Sequence, residues 1–152
     1  MALLSAEQVE IGFAATTRED ALLRLAEHGV ARGFASDKEA LYQAFLAREA
    51  EAETGLMDGF AVPHAKSEAI VEPGVFVLKL AEPVEWPSFD KQPVDIALAL
   101  YVPASEAGTT HLRLLSRAAT LLMRAEFRAE LRACDNPVQL AEIINARLEG
   151  ER

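Results

Sequence analysis

Residues 94–102 read VDIALALYV, and every position after Asp95 is apolar. The run is far shorter than the ~20 residues that a membrane helix needs. It also lacks the polar alternation of a strand with one wet face. It therefore reads as a strand buried on both faces, which obliges helices to cover both sides of its sheet. A second strand is expected at Gly74–Leu80, GVFVLKL, and a short one at Phe60–Val62, closed by Pro63. Between them, Glu82 to Pro93 holds three prolines and reads as a loop or an edge segment.

Helical spacing fills the rest. Thr17-Arg-Glu-Asp20 has a hydroxyl cap followed by acids, and Leu22, Leu25, Ala26 and Val30 follow at helical intervals until Gly33. His28 falls in the last turn of that helix and reads as an exposed histidine near its negative end. Ser36-Asp-Lys-Glu39 has the form of a capping box, with Leu41, Ala44 and Phe45 on one stripe behind it. The next member of that stripe is Arg48, which either lies along the surface with its head in water or is held at a buried edge for an anion. After the strands, Thr109 or Thr110 caps a helix carrying Leu112, Leu115, Ala119 and Leu122. Phe127, Leu131 and Cys134 mark a short helix. Asn136-Pro137 opens a last helix with Leu140, Ile143, Ile144 and Leu148 facing in. The expected architecture is α/β: helices, strands, then helices, with a mixed sheet between helical layers and a single domain over 1–152.

Charge and residue inventory exclude several functions. The net charge of −9, from 24 acidic against 15 basic residues, repels phosphate backbones and argues against nucleic acid as a partner. It favours encounter with a basic protein face. The single cysteine, Cys134, permits no intrachain disulfide and reads as core packing. The three histidines, at 28, 64 and 111, lack the spacing of metal ligands. The N-terminus, MALLSAEQVE, has neither the basic start nor the apolar core of a signal peptide, and no apolar run is long enough to cross a membrane. A cytoplasmic protein with no membrane insertion is expected.

His64 follows Pro63 at the end of a strand, where sites form in layered α/β folds. The proline fixes its own φ and biases Val62 toward extended geometry, so the histidine is aimed rigidly. Taken alone, His64 reads first as a surface or capping histidine. His111, in the first turn of a helix, sits where the macrodipole opposes protonation. Its alternative is a partly buried polar residue at a helix start. Together Arg48, His64 and His111 suggest phosphate chemistry: an imidazole nucleophile, a guanidinium clamp and a second imidazole donor. There is no phosphate-binding GxxxxGK[ST] loop and no kinase signature, so no nucleotide cofactor is expected and the donor is read as another protein.

The run from Arg48-Glu49 through Thr54-Gly55 and Gly59 to Ala61-Val62-Pro63-His64 resembles the signature of the enzyme IIA domains of the fructose/mannitol family. These are type-2 IIA domains of the bacterial phosphoenolpyruvate-dependent sugar phosphotransferase system. Trp86, Asp90, Pro93-Val94-Asp95, Val102-Pro103, His111-Leu112 and LLMRAEFRAEL from Leu121 extend the resemblance over nearly the whole chain. It implies a mannitol-enzyme-IIA-like fold, a mixed sheet of about five strands sandwiched between helices. It also implies that His64 takes a phosphoryl group from the carrier HPr and passes it to a cysteine of an enzyme IIB. Arg48 and His111 would be its neighbours, and Thr54 and Gly55 would supply donors from the adjacent loop. The implied role is sugar uptake of fructose or mannitol type. The alternative is a nitrogen-regulatory protein of the same family that uses the phosphohistidine as a switch. Glu53 and Met57 depart from common family residues without touching these positions.

Overall fold

The computed structural model describes residues 4–105 and 109–150, except for the side chains of residues 109–112, 114, 115, 149 and 150. A single 3-10 turn, Ala6–Gln8, leads into β1 (Val9–Phe13). Two helices follow, α1 (Arg18–Ala31) and α2 (Lys38–Glu51). Then come β2 (Phe60–Ala61), β3 (His64–Ser67), β4 (Gly74–Val84) and β5 (Val94–Pro103), and three helices end the chain: α3 (Thr109–Leu122), α4 (Ala125–Ala133) and α5 (Pro137–Gly150). Among the described residues a strand thus precedes the first α-helix, where the sequence led to the expectation of helices first. VEIGF carries too short an alternation to stand out, and its pairing partner, β4, is far away in the chain.

Local signals set the helix ends. Thr17 Oγ1 accepts the Asp20 N–H at 3.1 Å, while the Asp20 carboxylate accepts the N–H groups of Thr16 and Thr17. The cap of α2 is Asp37, one residue later than the expected Ser36, and its carboxylate accepts the Ala40 N–H at 3.1 Å. Ser36 is instead drawn into backbone pairing, its N–H donating to the Ala69 carbonyl at 2.9 Å. Asn136 caps α5 as read, accepting the Gln139 N–H at 3.0 Å. His28 departs from its reading. Its Nε2 lies 2.7 Å from Glu10 on β1, and its ring stacks on Phe76 at 4.0 Å, so it ties α1 to the sheet.

The strands form one five-stranded mixed sheet in the order β1-β4-β5-β2, with β3 also on β5. β1 runs parallel to β4, β4 antiparallel to β5, and β2 and β3 parallel to β5. β4 continues past Leu80 to Val84, so the start of the proline-rich segment belongs to the sheet. Alternate residues of β5 enter two separate cores. Ala97, Ala99 and Tyr101 pack with Leu22, Leu25, Leu41 and Phe45 of α1 and α2. Ile96, Leu98 and Leu100 pack with Leu121, Phe127, Leu131, Leu140 and Ile144 of the last three helices. This is the layering that the all-apolar run requires.

Lys79 breaks the apolar run of β4 and is nonetheless 7% exposed. Its ammonium donates to the carbonyls of Leu131, Arg132 and Cys134 at 3.0, 3.1 and 2.7 Å. Those carbonyls lie at the end of α4; the Leu131 carbonyl also accepts the Cys134 N–H at 3.3 Å, and the ammonium serves all three.

Candidate functional site

Pro63 does not end the edge strand; it divides it. β2 pairs Phe60 with Ile96 and β3 pairs His64 with Leu100, so the same register runs across the break. The Pro63 carbonyl still accepts the Leu100 N–H at 3.0 Å. In a parallel ladder a residue offers N–H and C=O to the same neighbour, and proline lacks the N–H. One rung is therefore missing just before His64, which opens β3 instead of following a strand end.

The His64 ring is held at both nitrogens. Arg48, on the last turn of α2, donates Nε–H to His64 Nε2 at 2.9 Å. His64 Nδ1 lies 3.1 Å from the Val62 carbonyl oxygen. A guanidinium has no acceptor and a carbonyl has no donor, so the ring is neutral, with its proton on Nδ1 and its lone pair on Nε2. Burial lowers the pKa of His64 below the ordinary histidine value, and the Arg48 charge adds to the effect; the Val62 carbonyl and Glu51 oppose it. Arg48 also donates Nη1–H to the Ala52 carbonyl at 2.7 Å, which fixes the guanidinium across the start of the loop. Arg48 therefore does not lie along the surface with its head in water; its guanidinium is turned onto the His64 ring.

The loop 52–59 runs back along β2. The Thr54 carbonyl accepts the Val62 N–H at 3.0 Å, and Gly55 bridges both Ala61 and Ser88. A Cβ at Gly55 would collide with the Pro87 carbonyl and Ser88, so only glycine lets the two loops approach. The Thr54 side chain is buried, and its hydroxyl donates to Glu49. That hydroxyl is engaged away from the imidazole. At the loop's far end Gly59, at φ +82°, turns the chain into β2, and a Cβ there would meet Asp95 at 2.7 Å.

Glu49 is the buried neighbour of this group that periodicity missed. It is 7% exposed, adjacent to Arg48 and on the inner side of α2. Burial raises its pKa, opposed by the Thr54 hydroxyl and the Arg18 charge 3.9 Å away. Its signal in the sequence was its place beside Arg48 in the shared signature. His111 lies on the first turn of α3, but its side chain is outside the described residues. The structure therefore brings together Arg48, His64, Thr54 and Glu49. A cavity of about 740 Å³ lined by Arg18, Glu53, Trp86 and Ser88 lies beside this group and does not include His64. Among the described residues no cluster of His, Cys, Asp and Glu could hold a metal, and no helix is long and apolar enough to cross a membrane.

Residues 2–147 match the family described as "Phosphoenolpyruvate-dependent sugar phosphotransferase system, EIIA 2". The chain is 35% identical over 131 residues to the 2-O-alpha-mannosyl-D-glycerate-specific EIIABC component of Escherichia coli, which covers 86% of this chain and 20% of that protein. It thus spans about a fifth of that relative's length. It is 40% identical over 106 residues to a nitrogen regulatory protein of Klebsiella oxytoca, covering 68% of this chain and 64% of that one. Its fold matches the crystal structure of nitrogen regulatory protein IIA-Ntr from Neisseria meningitidis with a TM-score of 0.86 at 21% identity, over 93% of this chain and 96% of that one.

Proposed function

The chain belongs to the type-2 EIIA family of the phosphoenolpyruvate-dependent sugar phosphotransferase system, and on that premise we propose that it is a cytoplasmic phosphocarrier that accepts a phosphoryl group on His64 Nε2. One observation carries the reading. The lone pair of the ring lies on Nε2, because Nδ1 faces the Val62 carbonyl and Nε2 accepts the Arg48 Nε–H.

The donor is the phosphohistidine of HPr. The Nε2 lone pair of His64 attacks phosphorus, and the N–P bond to the HPr ring breaks with its electron pair returning to that ring. His64 keeps its Nδ1 proton, so the phosphorylated ring is a cation, and the Val62 carbonyl stabilises it. The incoming phosphoryl group displaces the Arg48 Nε–H from Nε2, and the guanidinium then donates to the phosphoryl oxygens. His111 would add a neutral donor. In the second transfer a cysteine thiolate of an enzyme IIB attacks phosphorus and His64 recovers its lone pair. The sugar, of fructose or mannitol type, is handled by that partner and its membrane component. Moderate clamping suits a relay, since a site that held the phosphoryl group much more tightly would slow its release.

The nitrogen-regulatory relative at 40% identity favours a second reading, in which the phosphohistidine switches the binding of a target protein. Incubation with phosphoenolpyruvate, enzyme I and HPr, followed by intact-mass spectrometry, tests the shared step. One acid-labile phosphate is expected on the wild type and none on His64→Ala. Arg48→Ala should still be phosphorylated, about a hundredfold more slowly. An unchanged phosphate on His64→Ala overturns the reading. Onward transfer to an enzyme IIB supports the carrier; phosphorylation-dependent target binding without transfer supports the switch.

A further inference from the structure

We propose that Glu49 and Thr54 form a positioning pair that holds the Val62 carbonyl against His64 Nδ1 and so keeps the nucleophilic lone pair on Nε2. The inference rests on the phosphocarrier reading and adds two residues that do not touch the phosphoryl group.

Arg48 and Glu49 are neighbours on the last turn of α2, so their side chains leave the helix about 100° apart. Arg48 reaches the imidazole directly, and Glu49 turns inward. The Glu49 carboxylate accepts a buried hydrogen bond from the Thr54 hydroxyl. The Thr54 carbonyl in turn accepts the Val62 N–H at 3.0 Å. In an extended residue N–H and C=O point to the same side. Anchoring the N–H of Val62 to the loop therefore also fixes its carbonyl, the one 3.1 Å from Nδ1. Pro63, which offers the sheet no N–H, leaves this stretch of edge short of a rung, and the loop supplies the restraint that the ladder lacks.

The arrangement is costly in a way that a purely structural device would avoid. Glu49 Oε1 is buried, and the Trp86 indole N–H acts on the carboxylate in the direction that favours its ionised form. Its nearest cation, Arg18, stands 3.9 Å off and is already paired with Glu49's competitor Glu19 at 2.9 Å. Burial penalises the carboxylate and raises its pKa, and an apolar residue would fill the space without that desolvation. The cost is intelligible if the carboxylate is needed as an acceptor whose position is fixed by helix α2, the same element that fixes Arg48. The Arg-Glu pair then sets both nitrogens of one ring from one helical turn.

The test is ¹⁵N NMR of the histidine ring nitrogens, together with the rate of phosphoryl acceptance from phospho-HPr. In the wild type the His64 shifts should report Nδ1–H. Thr54→Val removes the hydroxyl at nearly constant volume and should raise the Nε2–H population and slow acceptance about tenfold. Thr54→Ser, which keeps the hydroxyl, should restore both readouts. Should Thr54→Val lose its far-ultraviolet circular dichroism, Glu49→Asp takes its place, since the shorter side chain withdraws the acceptor and should give the same tautomer shift. Wild-type ring shifts in a folded Thr54→Val or Glu49→Asp overturn the proposal. A wild type that takes no phosphoryl group, yet loses Nδ1–H in Thr54→Val, overturns the phosphocarrier reading and leaves the positioning pair standing.

Discussion

His64 is neutral because two unlike effects act together. Burial penalises the imidazolium, and the Arg48 charge beside Nε2 penalises it further. A nucleophilic ring needs that state, so the acceptance rate should be flat above the ordinary histidine value of 6.5 and fall only at lower pH, with its inflection below 6.5. Stability should follow the same group. As pH falls through 6.5 the unfolded chain takes up the proton first, so the native state loses stability until its own, lower pKa is passed, and then no more. Above 6.5 the residue contributes nothing to the pH dependence. Denaturant melts of wild type and His64→Ala across this range check the sign: the drop belongs to the wild type and is absent from the variant. At this scale the sequence was informative about identity. His64 and Arg48 were both singled out from it, by the Pro-His step and by a charge on an apolar stripe. Glu49 escaped because one acid among several in AREAEAE carries no local mark of burial.

At the scale of elements, the ends of helices decide where side chains converge. α2 stops at Glu51, and its last turn presents Arg48 to the edge strand. α4 stops at Ala133, and Lys79 of β4 meets its terminal carbonyls there. Lys79→Met keeps the length and apolar contact of the side chain and removes those three hydrogen bonds. It should lower the free energy of unfolding by about 2 kcal/mol, read from the midpoint in urea at unchanged slope. The sequence located β4 and α4 separately, from an apolar run and from the spacing of Phe127 and Leu131. It did not join them, since the lysine and the carbonyls it caps are more than fifty residues apart. The same distance effect hid β1, whose five residues become a strand only beside β4.

The whole molecule places the edge carrying His64 between two helical layers. α2 arrives from one side with Arg48, and β5 leads on to α3, which carries His111, on the other. The net charge of −9 favours encounter with a basic protein face. Raising the salt concentration should lower kcat/KM for phosphoryl acceptance from HPr and leave kcat nearly unchanged, because screening slows encounter and not the transfer within the complex. Equal rates at low and high salt would show that the acidic surface takes no part in docking. What the sequence determined by itself was what depends on neighbours along the chain. A nine-residue run that is apolar throughout except for Asp95 demands two covering layers, Thr17 and Asn136 cap the helices that follow them, and the Arg-Glu, Thr-Gly and Pro-His steps keep a fixed spacing. What only the tertiary structure decided were the contacts made across that spacing. The tautomer of His64 follows from which carbonyl and which guanidinium fold onto its two nitrogens, and the burial of Glu49 follows from how α1, α2 and the 52–59 loop close over it. Hydrogen bonds and desolvation act on groups close in space, whereas periodicity reports only groups close in the chain.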